Sequence, residues 1–191
     1  NLHDQSTLWS VKGSKAPATL SYLAPAVDEA LSIPEAREYA MQVIAEIFQT
    51  TNELLPENIG LFPDEYEPRA FGDNFQKLGT STILIESGGL GGDLEKQRIR
   101  KYYFLSLLIG LQAIATKSYR NYSIKDYFKI PTNGKHLYHI IIKNVAVNGV
   151  QTSICLNYEE IGPEANQLWR VHDIGDCTGF KAYSYFDQGL Y

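Results

Sequence analysis

The chain has 191 residues, of which 44% are hydrophobic and 20% charged, and its formal net charge is −5. That is the make-up of an ordinary globular protein, one medium domain or a domain plus a small module. It carries no run of Lys and Arg to engage phosphates, so nucleic acid is not expected as the main partner.

Asn1–Asp4 reads NLHD, a histidine beside an acid. The first residue is Asn, the one methionine is Met41, and no charged-then-apolar leader is present. The expectation is a chain that starts inside a longer protein or after processing. Trp9–Lys15 is loop-like. Ala18–Leu23 (ATLSYL) alternates as a strand does, and Pro25 stops it. Ser32-Ile33-Pro34-Glu35 has the spacing of a capping box, with Pro tolerated in the first turn. Beyond it Ala36, Tyr39, Ala40, Val43, Ile44, Ile47 and Phe48 recur at helical spacing, which predicts an amphipathic helix from about Pro34 to Leu55, ended by Pro56.

Glu57–Asn74 (ENIGLFPDEYEPRAFGDN) is rich in Pro, Gly and acids and predicts a long loop, the kind of segment that often carries function. Its polar side chains of interest are Tyr66, Arg69 and Asp73. The stretch from Gly79 to Tyr119 then reads as strand, glycine turn and helix. Thr80–Ile85 has the composition of a strand buried on both faces, with the carboxylate of Glu86 at its end. Gly88-Gly89-Leu90-Gly91-Gly92 turns the chain, and Asp93 is placed to cap a helix that runs to about Lys117. The longest apolar run, Tyr102 to Ala115, is interrupted by Ser106, Gly110 and Gln112. It is shorter than the roughly 20 residues of a bilayer span, so no membrane span is expected.

Tyr122–Pro131 reads as a linker. Leu137–Val147 and Val150–Tyr158 flank Asn148-Gly149, the strongest short hairpin signal, and predict a type I′ turn. Trp169–Ile174 and Phe180–Phe186 are further strand candidates. The fold class is therefore α/β over residues 1–120, followed by a small β-rich module over 121–191. Cys155 and Cys177 fall in that module; two thiols leave open whether they pair.

Among groups that carry chemistry, Glu86 comes first. A carboxylate there either caps the next helix or pairs with an Arg, or it works as a general acid or base, its pKa raised by partial desolvation. The glycine turn lacks the Lys-Ser/Thr of a phosphate loop and the spacing of a dinucleotide fingerprint, so close backbone packing is its expected role. His136 and His139 would point to opposite faces of a strand, a poor metal pair, and His172 beside Asp173 is as weak. No G-x-S-x-G nucleophile elbow is present.

NLHDQ, ATLSYLAP and AFGDNFQKLGTSTILIESGG, in this order and spacing, resemble the C-terminal half of a zinc carboxypeptidase of the carboxypeptidase A-like metallopeptidases, closest to bacterial multi-domain members. The resemblance covers roughly residues 1–118. It implies the C-terminal half of a carboxypeptidase-like mixed sheet flanked by helices, and hydrolysis of C-terminal peptide bonds. It implies a zinc ion (Zn2+) with His3 as its third ligand, and Glu86 as the base that takes a proton from the attacking water and returns it to the leaving amine. Tyr66 would match the family's mobile tyrosine, and Arg69 is a nearby cation for a substrate carboxylate. No His-x-x-Glu pair occurs in the chain, so two zinc ligands and the carboxylate-gripping region would lie in a missing N-terminal half. The chain alone is therefore expected to be inactive. The implied substrates are peptides or acyl-amino acids with a free carboxylate. A zinc amidohydrolase acting on N-acyl amino acids uses the same logic. The rival expectation is a non-catalytic peptide- or glycan-binding relative that uses the aromatic tail. Relatives of this type are often exported, and a Cys155–Cys177 bridge would agree with export.

Overall fold

The computed structural model describes residues 1–93, 95–161 and 166–190. The chain forms two compact units, Asn1–Gly134 and Lys135–Tyr191. Its class is α/β.

In the first unit the elements run β1 (Leu2–Asp4), β2 (Ser10–Val11), β3 (Leu20–Leu23), α1 (Glu35–Leu54), β4 (Ile59–Leu61), α2 (Phe71–Lys77), β5 (Leu84–Ser87), α3 (Gln97–Thr116), α4 (Ile124–Phe128) and β6 (Asn133–Gly134). Four strands make one mixed sheet in the order β1-β5-β3-β4. β1 runs parallel to β5, β3 parallel to β4, and β3 antiparallel to β5. β2 and β6 form a separate antiparallel pair.

Side-chain alternation along these short strands divides the sheet into two unlike faces. Leu20, Tyr22, Ile59, Leu61 and Ile85 point to the face shared with Ala40, Met41, Ile44 and Ile47 of α1 and Ala113 of α3, all buried. Each fully buried Ile or Leu there stabilises by about 1.5–3 kcal/mol. Gly110 lets α3 approach α1 closely, since a Cβ there would sit 3.1 Å from Ile47 Cδ1. The Tyr22 hydroxyl, inside this core, bonds Ser106 Oγ at 2.8 Å. Burial without a charged partner pushes its pKa up to about 12. Two apolar stripes stay uncovered: Phe104, Leu108 and Leu111 on α3, and Phe71, Phe75 and Leu78 around α2, each set at helical spacing and exposed. No described helix is long and apolar enough to cross a membrane.

Several local expectations are corrected. The capping box at Ser32–Glu35 does not form. Pro34 is the extended residue that precedes α1, and no side chain caps the helix. Arg37 of the first turn takes the carbonyls of Leu31 and Ser32, which draws that backbone away from a capping geometry. The loop expected over Glu57–Asn74 contains β4 and the start of α2. In β4, Ile59 and Leu61 face the core around Gly60, too short a pattern to read as a strand. The strand expected at Thr80 begins at Leu84, because the Thr80 and Thr82 amides are taken by the Phe75 carbonyl and the Gln76 side chain. Glu86 therefore lies inside β5 rather than beyond it. Asp93 does serve α3, accepting from the Arg98 and Ile99 amides at 3.2 and 2.9 Å, although Lys96 is the residue just before the helix. The linker expected over 122–131 holds α4, whose capping box is Ser123 with Asp126. Buried Tyr127 and Ile130 return that segment to the first core, which is why the second unit begins at 135 rather than 121.

Gly88 shows how tightly β5 is held. A Cβ there would fall inside contact distance of the Ala18 carbonyl oxygen and 2.7 Å from Gln5 Nε2. Gly88→Ala is expected to destabilise the chain by about 1–3 kcal/mol, read as a lowered Tm. An unchanged Tm would mean that the turn relaxes freely.

The second unit is a four-stranded sheet in the order β10-β7-β8-β9, where β7 is Leu137–Val147, β8 Val150–Ile161, β9 Asn166–Gly175 and β10 Lys181–Asp187. The β7–β8 hairpin turns at Asn148 (φ 52°) and Gly149 (φ 79°), the left-handed pair a type I′ turn requires. Its core is small: Tyr138 and Ile141 with the disulfide Cys155–Cys177, against Phe180 and Ala182. Trp169, Val171, Ile174, Tyr185 and Phe186 remain exposed.

Candidate functional site

The sheet face opposite the helices carries polar groups, and the register decides which of them meet. On the parallel pair β1–β5, His3 lies directly across from Glu86. On the antiparallel pair β3–β5, Ser21 lies across from Glu86 on the other side. Residues paired in register share a face, so His3, Glu86 and Ser21 form one row.

Glu86 is only 7% exposed, and its buried Oε2 has no hydrogen-bond partner among the described residues. Burial pushes its pKa up to about 7, and the negative charge of Asp4 adds to the rise. Asp4 itself is paired with Lys96 Nζ at 2.7 Å and accepts the Ser87 hydroxyl at 3.0 Å. Tyr103 of α3 donates to the Ile85 carbonyl at 2.8 Å. Burial pushes its hydroxyl up to about 12, with the charges of Glu86 and Asp4 acting in the same sense. A buried carboxyl whose pKa is pushed up toward neutrality, with one oxygen unpartnered among the described residues, can take up and release a proton at little cost, which is the requirement for general acid–base work.

The raised pKa has a consequence for stability. The fold favours the neutral form of Glu86, so its contribution is present below about pH 4.5 and is lost as pH rises through about 7. Glu86→Gln is expected to match the parent at pH 5 and to exceed it at pH 8 by on the order of 1–3 kcal/mol. Urea unfolding at the two pH values measures the difference. Equal differences at both would remove the buried-acid account.

His3 is exposed, and its Nε2 lies 3.0 Å from Asn1 Oδ1. Among the described residues no three His, Cys, Asp or Glu side chains gather as a metal would need. One exposed imidazole does not hold zinc, which takes three or four protein ligands. The residues present therefore do not make a zinc site by themselves. The other histidines sit against rings: His136 near Phe180, His172 near Tyr138, and His139 3.9 Å from the Tyr158 ring.

Tyr66 and Arg69 belong to the segment between β4 and α2, and their partners lie elsewhere. Tyr66 accepts from Lys77 Nζ at 3.3 Å, and Arg69 is paired with Glu67 at 3.0 Å. Tyr66 lines a surface cleft of about 640 Å3 with Val27, Asp28, Pro34 and Lys77. That lining includes neither Glu86 nor His3. The structure thus joins His3 to Glu86 and leaves Tyr66 and Arg69 in other company.

Behind Glu86 stands a network that sequence reasoning missed. Gln5 Nε2 donates to the Ala18 carbonyl and to Ser21 Oγ, both at 2.7 Å, and Asn133 Nδ2 reaches Ser21 Oγ at 2.6 Å. Two of these residues left a trace: Gln5 is two positions from His3 on the same face, and Ser21 is a hydroxyl in an otherwise apolar strand. Asn133, 112 positions from Ser21, left none.

No family model, curated protein or solved structure matches the chain.

Proposed function

We propose that this chain is part of a zinc metallocarboxypeptidase that hydrolyses C-terminal peptide bonds, with Glu86 as the general base and acid. The observation that carries the reading is the register of β1 on β5, which sets His3 and Glu86 side by side on one face of the sheet. The carboxyl titrating near neutrality supports it. Glu86 would accept a proton from the attacking water and pass it to the leaving amine. A zinc ion would supply Lewis acidity toward that water, held mainly by ligands outside this chain. The uncovered apolar stripes of α3 and α2 are the kind of surface that further chain would bury. The Cys155–Cys177 bridge suits an oxidising compartment.

A peptidase assay on C-terminally free peptides tests this. The 191-residue chain is expected to be silent, and the polypeptide extended upstream to release C-terminal residues. Zinc-dependent release by the short chain, or none by the extended one, refutes the proposal.

A second reading is a non-catalytic relative that binds peptides or glycans. The ring cluster His139–Tyr158–Trp169, with Trp169 45% exposed, favours it. An upstream segment without His-x-x-Glu would select that reading.

A further inference from the structure

The β7–β8 ladder runs from Val147 and Val150 at the hairpin to Ile140 and Leu156, and there it stops. β8 continues in partnership with β9 alone, paired as far as Ile161 and Asn166. Two side chains bridge the gap to β7 where the ladder ends. Asn157 Oδ1 accepts the His139 amide at 3.0 Å, and His139 Nδ1 accepts the Tyr158 amide at 3.3 Å. The imidazole lies in a row of rings, one from each strand of the sheet. Its centroid is 6.2 Å from Tyr183 of β10, 3.9 Å from Tyr158 of β8 and 6.3 Å from Trp169 of β9.

An imidazole nitrogen that accepts an N–H carries no proton, so the neutral ring holds its proton on Nε2. Nε2 is buried and has no partner among the described residues. A second proton has only Nδ1 to go to, where it sets N–H against N–H at the Tyr158 amide. The groups that face the ring are the Tyr183 phenol, pushed up to about 12 by burial, the Tyr158 phenol, the Asn157 amide and the Trp169 indole. None of these is a carboxylate that could hold an imidazolium. Among the described side chains, the charges nearest in register are Arg170, across from Asn157, Asp173, across from Cys155, and Lys181, across from Leu137.

We propose that His139 is an acid-operated clasp: neutral, its Nδ1 holds the Tyr158 amide and ties the outer β8–β9 arm to β7; protonated, it releases that amide and the arm parts from β7. The inference stands apart from the reading of Glu86. Burial keeps the His139 pKa below its ordinary value of 6.5, with Asn157 acting in the opposite sense. The fold thus favours the neutral ring. The contribution of the clasp is whole above about 6.5 and is lost as pH falls through the lower value of the folded chain.

The test is NMR on the whole chain, following the His139 ring nitrogens and the exchange protection of the Tyr158 amide through an acid titration. The neutral ring is expected to carry its proton on Nε2 and to titrate with a midpoint below 6.5. Protection of the Tyr158 amide is expected to fall about tenfold through that same midpoint, while amides at the hairpin end of β7–β8 keep theirs. In His139→Phe a ring remains in the row with no proton to take, and protection of Tyr158 is expected to be the same above and below the parent midpoint. A midpoint at or above 6.5, a neutral ring protonated on Nδ1, or Tyr158 protection that does not change across the midpoint overturns the clasp, and none of these readings needs the variant to fold. An equal acid-dependent loss in His139→Phe overturns it as well.

Discussion

Replacing Glu86 with glutamine is expected to lower kcat of the proposed intact peptidase by about 10²–10⁴-fold while leaving the fold in place. The amide has nearly the shape of the acid but cannot carry a proton between water and amine. Its burial costs less than that of a carboxylate above pH 7, because Glu86 has only desolvation and the charge of Asp4 acting on it. Lost turnover together with unchanged or raised stability at pH 8 separates a chemical role from a structural one. The pH dependence gives a second readout. For a base of this kind kcat/KM rises as the carboxyl deprotonates. Full turnover by Glu86→Gln would leave the row of His3, Glu86 and Ser21 without a catalytic meaning.

The second large effect is expected at Arg37. Its side chain is completely buried, and each arm of the guanidinium is used. Nε donates to the Ala24 carbonyl at 3.1 Å, Nη1 to the carbonyls of Leu31 and Ser32 at 2.8 and 3.2 Å, and Nη2 to both oxygens of Asp64 at 2.7 Å. One residue thus ties α1 to the end of β3, to the 31–32 turn and to the segment after β4. Arg37→Ala removes the cation but leaves three carbonyls and the partly covered carboxylate of Asp64 unpaired. A loss of about 3–5 kcal/mol is expected, the range for breaking one side of a buried pair. Arg37→Lys restores the charge but not the planar fork and is expected to recover less than half of it. Urea unfolding measures both. A loss below about 1 kcal/mol for Arg37→Ala would show that water satisfies the vacated acceptors.

Those two residues mark where sequence reading succeeded and where it stopped. Glu86 was legible because a lone carboxylate stands out in an apolar run beside a glycine turn. Arg37 was not, although it sits on the core-facing side of α1 at helical spacing from Met41 and Ile44. Its partner Asp64 lies 27 positions away, and a charge reads as exposed until its partner is known. The same limit hid β4 and α4. Ile59-Gly60-Leu61 becomes a strand only because β3 is there to pair with it, and α4 forms because Tyr127 has a core to enter.

Local chemistry by itself determined the α1 face, the α3 helix with Asp93 at its start, and the Asn148-Gly149 hairpin. Each depends on residues within a few positions of one another, where periodicity, capping and turn stereochemistry act. Only the tertiary structure decided that His3 faces Glu86, that Ser21 is held by Gln5 and Asn133, and that Cys155 reaches Cys177. Those are choices of strand order and register between distant segments, and a one-residue slip in any of them would send the same side chains to opposite faces of the sheet.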